Sequence, residues 1–302
     1  MASVLTKAEE VWMTYWRHTF SPGTSAPDTE VLVRVDASAS IGNGHAFRSA
    51  SLASDLTLNG RSVALLGKGL DHLSRLLDPE ASLNIFELDG SVDESGDCAT
   101  VVQFKPKLVV IDGYEFSESY FRNLDSAGIP YAVFDDNGES RATNPLVLIN
   151  QSRLRPHASY SRLAKTSEFL LGPAFAQIRQ PVRKLARTKL PRSVKGIFVS
   201  VGGTDSRNFT NEIVEALLPV GAPMNIAQGT KPQSGPIPAN WSDTPDLSLV
   251  SPEKFPEALN FSELAVLAAG TSVWEAAALG VPVIALILFD NQAAVAETAA
   301  EL

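Results

Sequence analysis

Apolar runs of strand length recur along most of the chain, each followed by a stretch with helical spacing, and no other feature narrows the possible folds as much. In the first half the runs are VLVRV from Val31, SVALL from Ser62, KLVVI from Lys107, YAVF from Tyr131 and LVLI from Leu146. In the second they are GIFVSV from Gly196, MNIA from Met224, LSLV from Leu247, ELAVLA from Glu263 and VPVIALI from Val281. Strands that alternate with helices form βαβ units and parallel sheets. At 302 residues the chain exceeds the usual size of one hydrophobic core. The expected fold is therefore α/β, with two Rossmann-like domains, residues 30–180 and 196–302, facing a cleft. Between them QPVRKLARTKLPRSVK is basic and interrupted by Pro181 and Pro191, which reads as an exposed linker over 181–195. Residues 1–29 stand apart: Leu5, Val11, Trp12, Trp16 and Phe20 have helical spacing, so an added N-terminal helix is expected before a Ser/Pro/Gly linker.

Charge and cysteine content exclude several functional classes. With 34 acidic against 25 basic residues the net charge is −9, which repels nucleic acid and anionic lipid surfaces at long range. One small anion could still be held, because oriented backbone N–H groups at a helix N-terminus act locally. Cys98 is the sole cysteine, so neither an intrachain disulfide nor a cysteine-based zinc cluster can form. Lys7, Glu9 and Glu10 stand where a signal peptide needs apolar residues, and no run is long enough to span a bilayer. A cytoplasmic protein without stable membrane association is the expectation.

Ligands of doubly wound folds bind at the C-terminal ends of the strands, so chemistry is sought in the loops there. The first strand runs into RVDASASIGNGHAFR, residues 34–48. A dinucleotide fingerprint would need a small residue where Phe47 stands and an acid after the second strand, where Gly67 and Lys68 stand. What the loop offers is His45 at a helix start, directly after the turn that Gly42 and Gly44 bracket. A helix N-terminus favours neutral imidazole, which can accept a proton from water. The alternative is that His45 only caps or packs the helix. His18, His72 and His157 have no comparable setting.

In the second half, GIFVSV leads into GGTDSRN, with Gly202, Gly203 and Thr204 before a helix. Strand, glycines, hydroxyl and helix is how backbone amides are aimed at a phosphate; the competing reading is an ordinary turn capped by Thr204 or Asp205. Gly270, Thr271 and Ser272 repeat the device, with Glu275 one turn on, where a carboxylate can accept from both ribose hydroxyls or simply favour the helix N-terminus. Asp290, Asn291 and Gln292 then form a polar edge after the last strand.

In order, the chain shows R-x-D-x-S-x-x-I-G-x-G-H-x-x-R, V-I-D-G-Y, F-D-D, L-L-G-P, G-G-T-D, G-T-S-x-W-E-A-A-A-L-G-V-P and D-N-Q. This pattern, from about Val31 to Gln292, resembles the UDP-2,4-diacetamido-2,4,6-trideoxy-β-L-altropyranose hydrolases of pseudaminic acid biosynthesis, relatives of the GT-B glycosyltransferases. The resemblance implies a UDP-sugar substrate, cleaved at the anomeric carbon with inversion by water that His45 deprotonates. It implies nucleotide-binding roles for Gly202, Gly203, Thr204, Gly270, Thr271, Ser272 and Glu275. Asp36, Gly42, Gly44, Arg48, Tyr114, Asn291 and Gln292 would contact the rest of the substrate, without metal or cofactor. The pattern departs at Gly113, where family members often carry a polar residue, commonly His, and the chain ends at Leu302 where relatives continue through a helix. A GT-B glycosyltransferase using the same donor, or a nucleotide-sugar binding protein without turnover, are the alternatives.

Overall fold

The computed structural model describes residues 17–19, 28–37, 44–70, 81, 83–163, 167–188, 196–203, 205, 207–227, 241 and 246–302. The chain forms two compact units: the described residues up to Gln177 other than Gly44 make the first, and Gly44 with the residues from Ile178 onward makes the second.

The first unit is built on eight parallel strands: β1 (Arg17–Thr19), β2 (Val31–Val35), β3 (Val63–Gly67), β4 (Asn84–Glu87), β5 (Leu108–Asp112), β6 (Tyr131–Phe134), β7 (Val147–Asn150) and β8 (Glu168–Leu171). Their spatial order is β1-β4-β3-β2-β5-β6-β7-β8. Successive strand residues face opposite sides, so the apolar runs feed two cores. Leu32, Leu66, Ile111, Tyr131 and Val133 enter the core that holds Cys98, Val101 and Phe104 of helix α2 (Glu94–Phe104) and Tyr120, Phe121 and Leu124 of α3 (Glu118–Ser126). Val33, Leu65, Val110 and Phe134 enter the other, under Ala46, Ala50 and Ala53 of α1 (Gly44–Leu58). Those alanines recur at helical spacing and let α1 lie close to the sheet. The chain reverses its winding between β2 and β5, which makes their C-terminal ends the place where doubly wound folds bind ligands. Gly67 ends β3 there: a Cβ on it would lie 1.6 Å from the Val35 carbonyl oxygen, so only glycine allows β3 to approach β2 this closely.

The second unit has five parallel strands, β9 (Ile197–Ser200), β10 (Met224–Ala227), β11 (Leu247–Val250), β12 (Leu264–Ala268) and β13 (Val283–Leu286), ordered β11-β10-β9-β12-β13. Ile197, Val199, Ile226 and Val266 pack with Val214 of α5 (Phe209–Leu217) and Trp241. Before them runs α4 (Gln180–Thr188); after them come α6 (Phe255–Asn260), α7 (Thr271–Leu279) and α8 (Ala293–Glu301). Here the reversal falls between β9 and β12.

All ten strands read from the apolar runs are present. Three departures have physical causes. The segment expected as an exposed linker is helical as far as Thr188, with Val182 fully buried. Pro181 does not prevent this, because the first turn of a helix leaves N–H groups unbonded in any case. Residues 17–19, expected in an N-terminal helix, are a strand paired with β4, Arg17 opposite Ile85; the free edge of β4 satisfies backbone groups that spacing alone cannot assign. The remainder of that expected helix lies outside the described residues. Strands β4 and β8, NIFE and EFLL, carry charged or amide residues at their ends and did not stand out as apolar runs.

Candidate functional site

The charged chemistry of the first unit gathers at the C-terminal ends of β2, β5 and β6. Helix α1 opens at Gly44, and His45, Arg48 and Ser49 fall on one face at i, i+3 and i+4. All three are buried, and all three meet Asp112, the last residue of β5, which has no exposed surface. His45 Nδ1 lies 2.5 Å from Asp112 Oδ1. Arg48 donates from Nη2 to the same oxygen at 2.6 Å and from Nε to Oδ2 at 2.7 Å, and Ser49 Oγ donates to Oδ2 at 2.9 Å. Burial alone would raise the Asp112 carboxyl, but the Arg48 guanidinium, with His45, outweighs it and holds the group well below the usual carboxylate range.

An ionised carboxylate only accepts, so whenever the His45 ring carries a single proton the short contact assigns it to Nδ1. The 3.1 Å approach of Arg48 Nη2 to Nδ1 is then a close contact between donors and not a hydrogen bond. Nε2 is left as the acceptor. Asp112 thus sets both the tautomer and the orientation of the ring, the arrangement that prepares a histidine as a general base.

Arg48 also reaches β6, donating from Nη1 to Asp136 Oδ2 at 2.6 Å with its guanidinium 4.6 Å above the Phe134 ring. Tyr114 donates to Asp136 Oδ2 at 3.2 Å and sets its ring edge-on to His45, centroids 4.7 Å apart. Burial, reinforced by Asp136, pushes the Tyr114 hydroxyl far up, so it stays a neutral donor. The structure therefore brings His45, Arg48 and Tyr114 together. It places Asp36 in a neighbouring knot, where it accepts from Arg34 Nη1 at 2.5 Å and from the Lys68 amide at 2.7 Å, while Arg34 forks onto Asp97. Gly44 is exposed at the start of α1, and Gly42 lies outside the described residues. Of the other histidines, His157 accepts from the Ser159 amide at 3.3 Å and caps a short 3-10 turn; His72 and the side chain of His18 lie outside the described residues.

The second unit presents backbone in place of charge. Gly202, with φ 102°, follows β9 and is exposed beside Gly203; Thr204 lies outside the described residues. Asp205 closes this loop on itself, accepting from the amides of Phe209 and Thr210 at 2.9 Å each, so a carboxylate already occupies the start of α5. The parallel loop after β12 is built differently. Gly270 is the N-cap of α7 and among the described residues no side chain caps that helix, while Thr271 and Ser272 stand half-buried on its first turn. Glu275 is buried one turn further along, and Arg179 of the same unit donates to both its oxygens at 2.6 Å, its guanidinium 4.7 Å from the Phe255 ring. After β13, Asn291 is exposed, and Gln292 turns its Oε1 back to accept from the amides of Leu288 at 2.8 Å and Phe289 at 3.3 Å.

Asp112, Asp136 and Arg179 were not among the residues singled out from sequence. The first two stand in V-I-D-G-Y and F-D-D, at or just past strand ends, which was signal enough to include them. Nothing near Arg179 in sequence points to Glu275.

No family model matches the chain. Among curated proteins, an uncharacterised protein of Methanocaldococcus jannaschii, MJ1062, is 23% identical over 278 residues, 87% of this chain; the match spans 56% of that protein. Among solved structures, MurG of Acinetobacter baumannii aligns with TM-score 0.56 and 18% identity over 90% of this chain and 84% of its own. Arabidopsis thaliana UGT89C1 complexed with UDP-L-rhamnose aligns at 0.58 and 16%, over 88% and 81%. A transferase of Siraitia grosvenorii in complex with UDP aligns at 0.57 and 12%, over 87% and 82%. With two Rossmann-like units of parallel sheet, one of eight strands and one of five, the chain has the fold of the GT-B glycosyltransferases.

Proposed function

We propose that this chain moves the sugar of a UDP-sugar onto a hydroxyl nucleophile, with His45 as the base. The observation that carries the reading is the buried His45–Asp112 pair, which leaves Nε2 free to accept a proton. In the step proposed, Nε2 takes the proton of the nucleophile as its oxygen bonds to the anomeric carbon. The bond from that carbon to the β-phosphate oxygen breaks, and UDP departs with the electron pair. Amides at the start of α7, with Thr271, Ser272 and the Gly202–Gly203 turn, hold the diphosphate and stabilise its developing charge. Glu275, set by Arg179, receives the ribose; Arg48, Tyr114 and Asp36 contact the sugar, and Gly42, Gly44, Asn291 and Gln292 are assigned the remaining substrate contacts.

The similarity to solved UDP-bound transferases supports an acceptor hydroxyl as nucleophile. A second, narrower reading takes water as nucleophile and a UDP-linked 2,4-diacetamido-2,4,6-trideoxy sugar as substrate. It rests on the ordered motifs from G-N-G-H to D-N-Q. Among the described residues no helix is long and apolar enough to cross a membrane.

The test is UDP release followed by NMR over a panel of UDP-sugars, with and without added acceptors. Release only with acceptor establishes the transferase. Release of inverted free sugar without acceptor establishes the hydrolase. Absence of both, with UDP still bound, leaves a binding protein and overturns the catalytic reading.

A further inference from the structure

Gly113 stands between Asp112, which orients His45, and Tyr114, which packs against it. Its φ lies outside the left-handed region, so its backbone conformation does not require glycine. The space beside it is what sets it apart. A Cβ at this position would lie 2.5 Å from Oε2, 2.6 Å from Oε1 and 2.8 Å from Cδ of Glu115, so that carboxylate is folded back over the Gly113 Cα. Glu115 as a whole is exposed, yet its carboxyl end is tucked against the chain. Burial pushes that carboxyl up, opposed first by a hydrogen bond from Glu115's own backbone N–H and less by Arg34 and His45, while Asp36 adds to the rise. Among the described residues no cation forms an ion pair with it.

The surrounding charge decides what such a group can receive. Arg34 is shared by two carboxylates, Asp36 and Asp97, and Arg48 by two more, Asp112 and Asp136. Each guanidinium balances one of its pair, and Glu115 adds a further acid. Phosphate is repelled from this end of the first unit, whereas neutral groups with hydrogen-bond donors are favoured. We propose that Glu115 is a specificity-determining residue that accepts hydrogen bonds from hydroxyl or amide N–H groups of the sugar, and that Gly113 provides the space that holds its carboxylate in place. This rests on the reading that the first unit takes the sugar of a UDP-sugar.

Calorimetric binding of UDP and of UDP-N-acetylglucosamine, with steady-state kinetics on the UDP-sugar panel, tests it in wild type, Gly113→Ala, Glu115→Gln and the double variant. UDP affinity reports the nucleotide contacts alone, so the difference between the two ligands isolates the sugar. Each single substitution is expected to weaken UDP-sugar affinity and raise KM about tenfold, the usual consequence of losing a hydrogen bond to a charged group, with UDP affinity held. The double variant should be no worse than either single one, because both remove the same contact. Both should melt close to wild type, since Gly113→Ala displaces only the end of a flexible side chain. If the single variants keep wild-type KM and UDP-sugar affinity while the wild type turns over, the assignment of Glu115 is wrong and the proposed function stands. If their effects add in the double variant, Gly113 acts through Asp112 and the assignment is again wrong. If the wild type binds neither ligand, the proposed function falls and this inference with it.

Discussion

The two sheets reverse their winding in the same way, yet the chain ends of the strands are furnished in opposite fashion. In the first unit the reversal is filled with buried polar and charged side chains, His45, Arg48, Asp112 and Asp136, each committed to the next. In the second it is edged by glycine turns and a helix start without a side-chain cap among the described residues, and a half-buried ion pair, Arg179 with Glu275, sits one turn behind. The difference separates two physical tasks. A base must be held in one tautomer and orientation, which takes buried partners; an anion needs donors that are not already satisfied. The two glycine loops of the second unit show the contrast at smaller scale. Asp205 spends the amides of α5 on its own carboxylate, while α7 is left without a side-chain cap.

The sharpest way to break this division is His45→Ala. It should cut turnover by about 10²- to 10⁴-fold with UDP affinity intact; a parallel loss of UDP binding, measured calorimetrically, would show that the first unit is not a purely chemical half. Asp112→Ala should lower turnover as well and, by leaving Arg48 buried with one partner fewer, cost about 3–5 kcal/mol in denaturant unfolding. The pH dependence carries a sign. Because the folded-state carboxyl is depressed, its stabilisation is complete above the unfolded value of about 4 and is lost as the pH falls below that toward the folded one. The stability gap between wild type and Asp112→Asn should therefore be flat from about pH 5 upward and shrink in stronger acid.

Gly270→Asp sharpens the comparison from the other side. Among the described residues, its chain neighbours aside, no atom lies within 4 Å of the position where its Cβ would stand, and its φ of −124° suits any residue. The new carboxylate should cap α7 and add a few tenths of a kcal/mol of stability, while lowering UDP affinity by about tenfold or more through repulsion of the diphosphate. A gain in stability with no change in UDP binding would place the anion elsewhere. The smallest effect belongs to Asp205→Ala: loss of a cap worth about 1 kcal/mol, with UDP affinity changed less than twofold. A larger change in affinity would mean that the two glycine loops are not divided as their capping indicates.

What the sequence determined by itself was what local physics encodes. Ten apolar runs became ten strands because alternate residues of a covered parallel sheet both meet a core, and the glycines with hydroxyls fell at strand ends. His45 was legible for the same reason, as a polar residue after a glycine turn at a helix start. Its partner was not. Asp112 lies 67 residues away and reaches His45 through the parallel register that sets Val35 opposite Asp112 and through the phase of α1 over the sheet. Asp36, adjacent in sequence to the first strand, is instead held by Arg34 and the Lys68 amide. The tertiary structure likewise decided that Glu275 pairs with Arg179 and that 17–19 joins a sheet edge. Charged groups and free strand edges are satisfied by whatever the fold brings within hydrogen-bonding reach, and that proximity is set by crossovers between distant segments that no local pattern records.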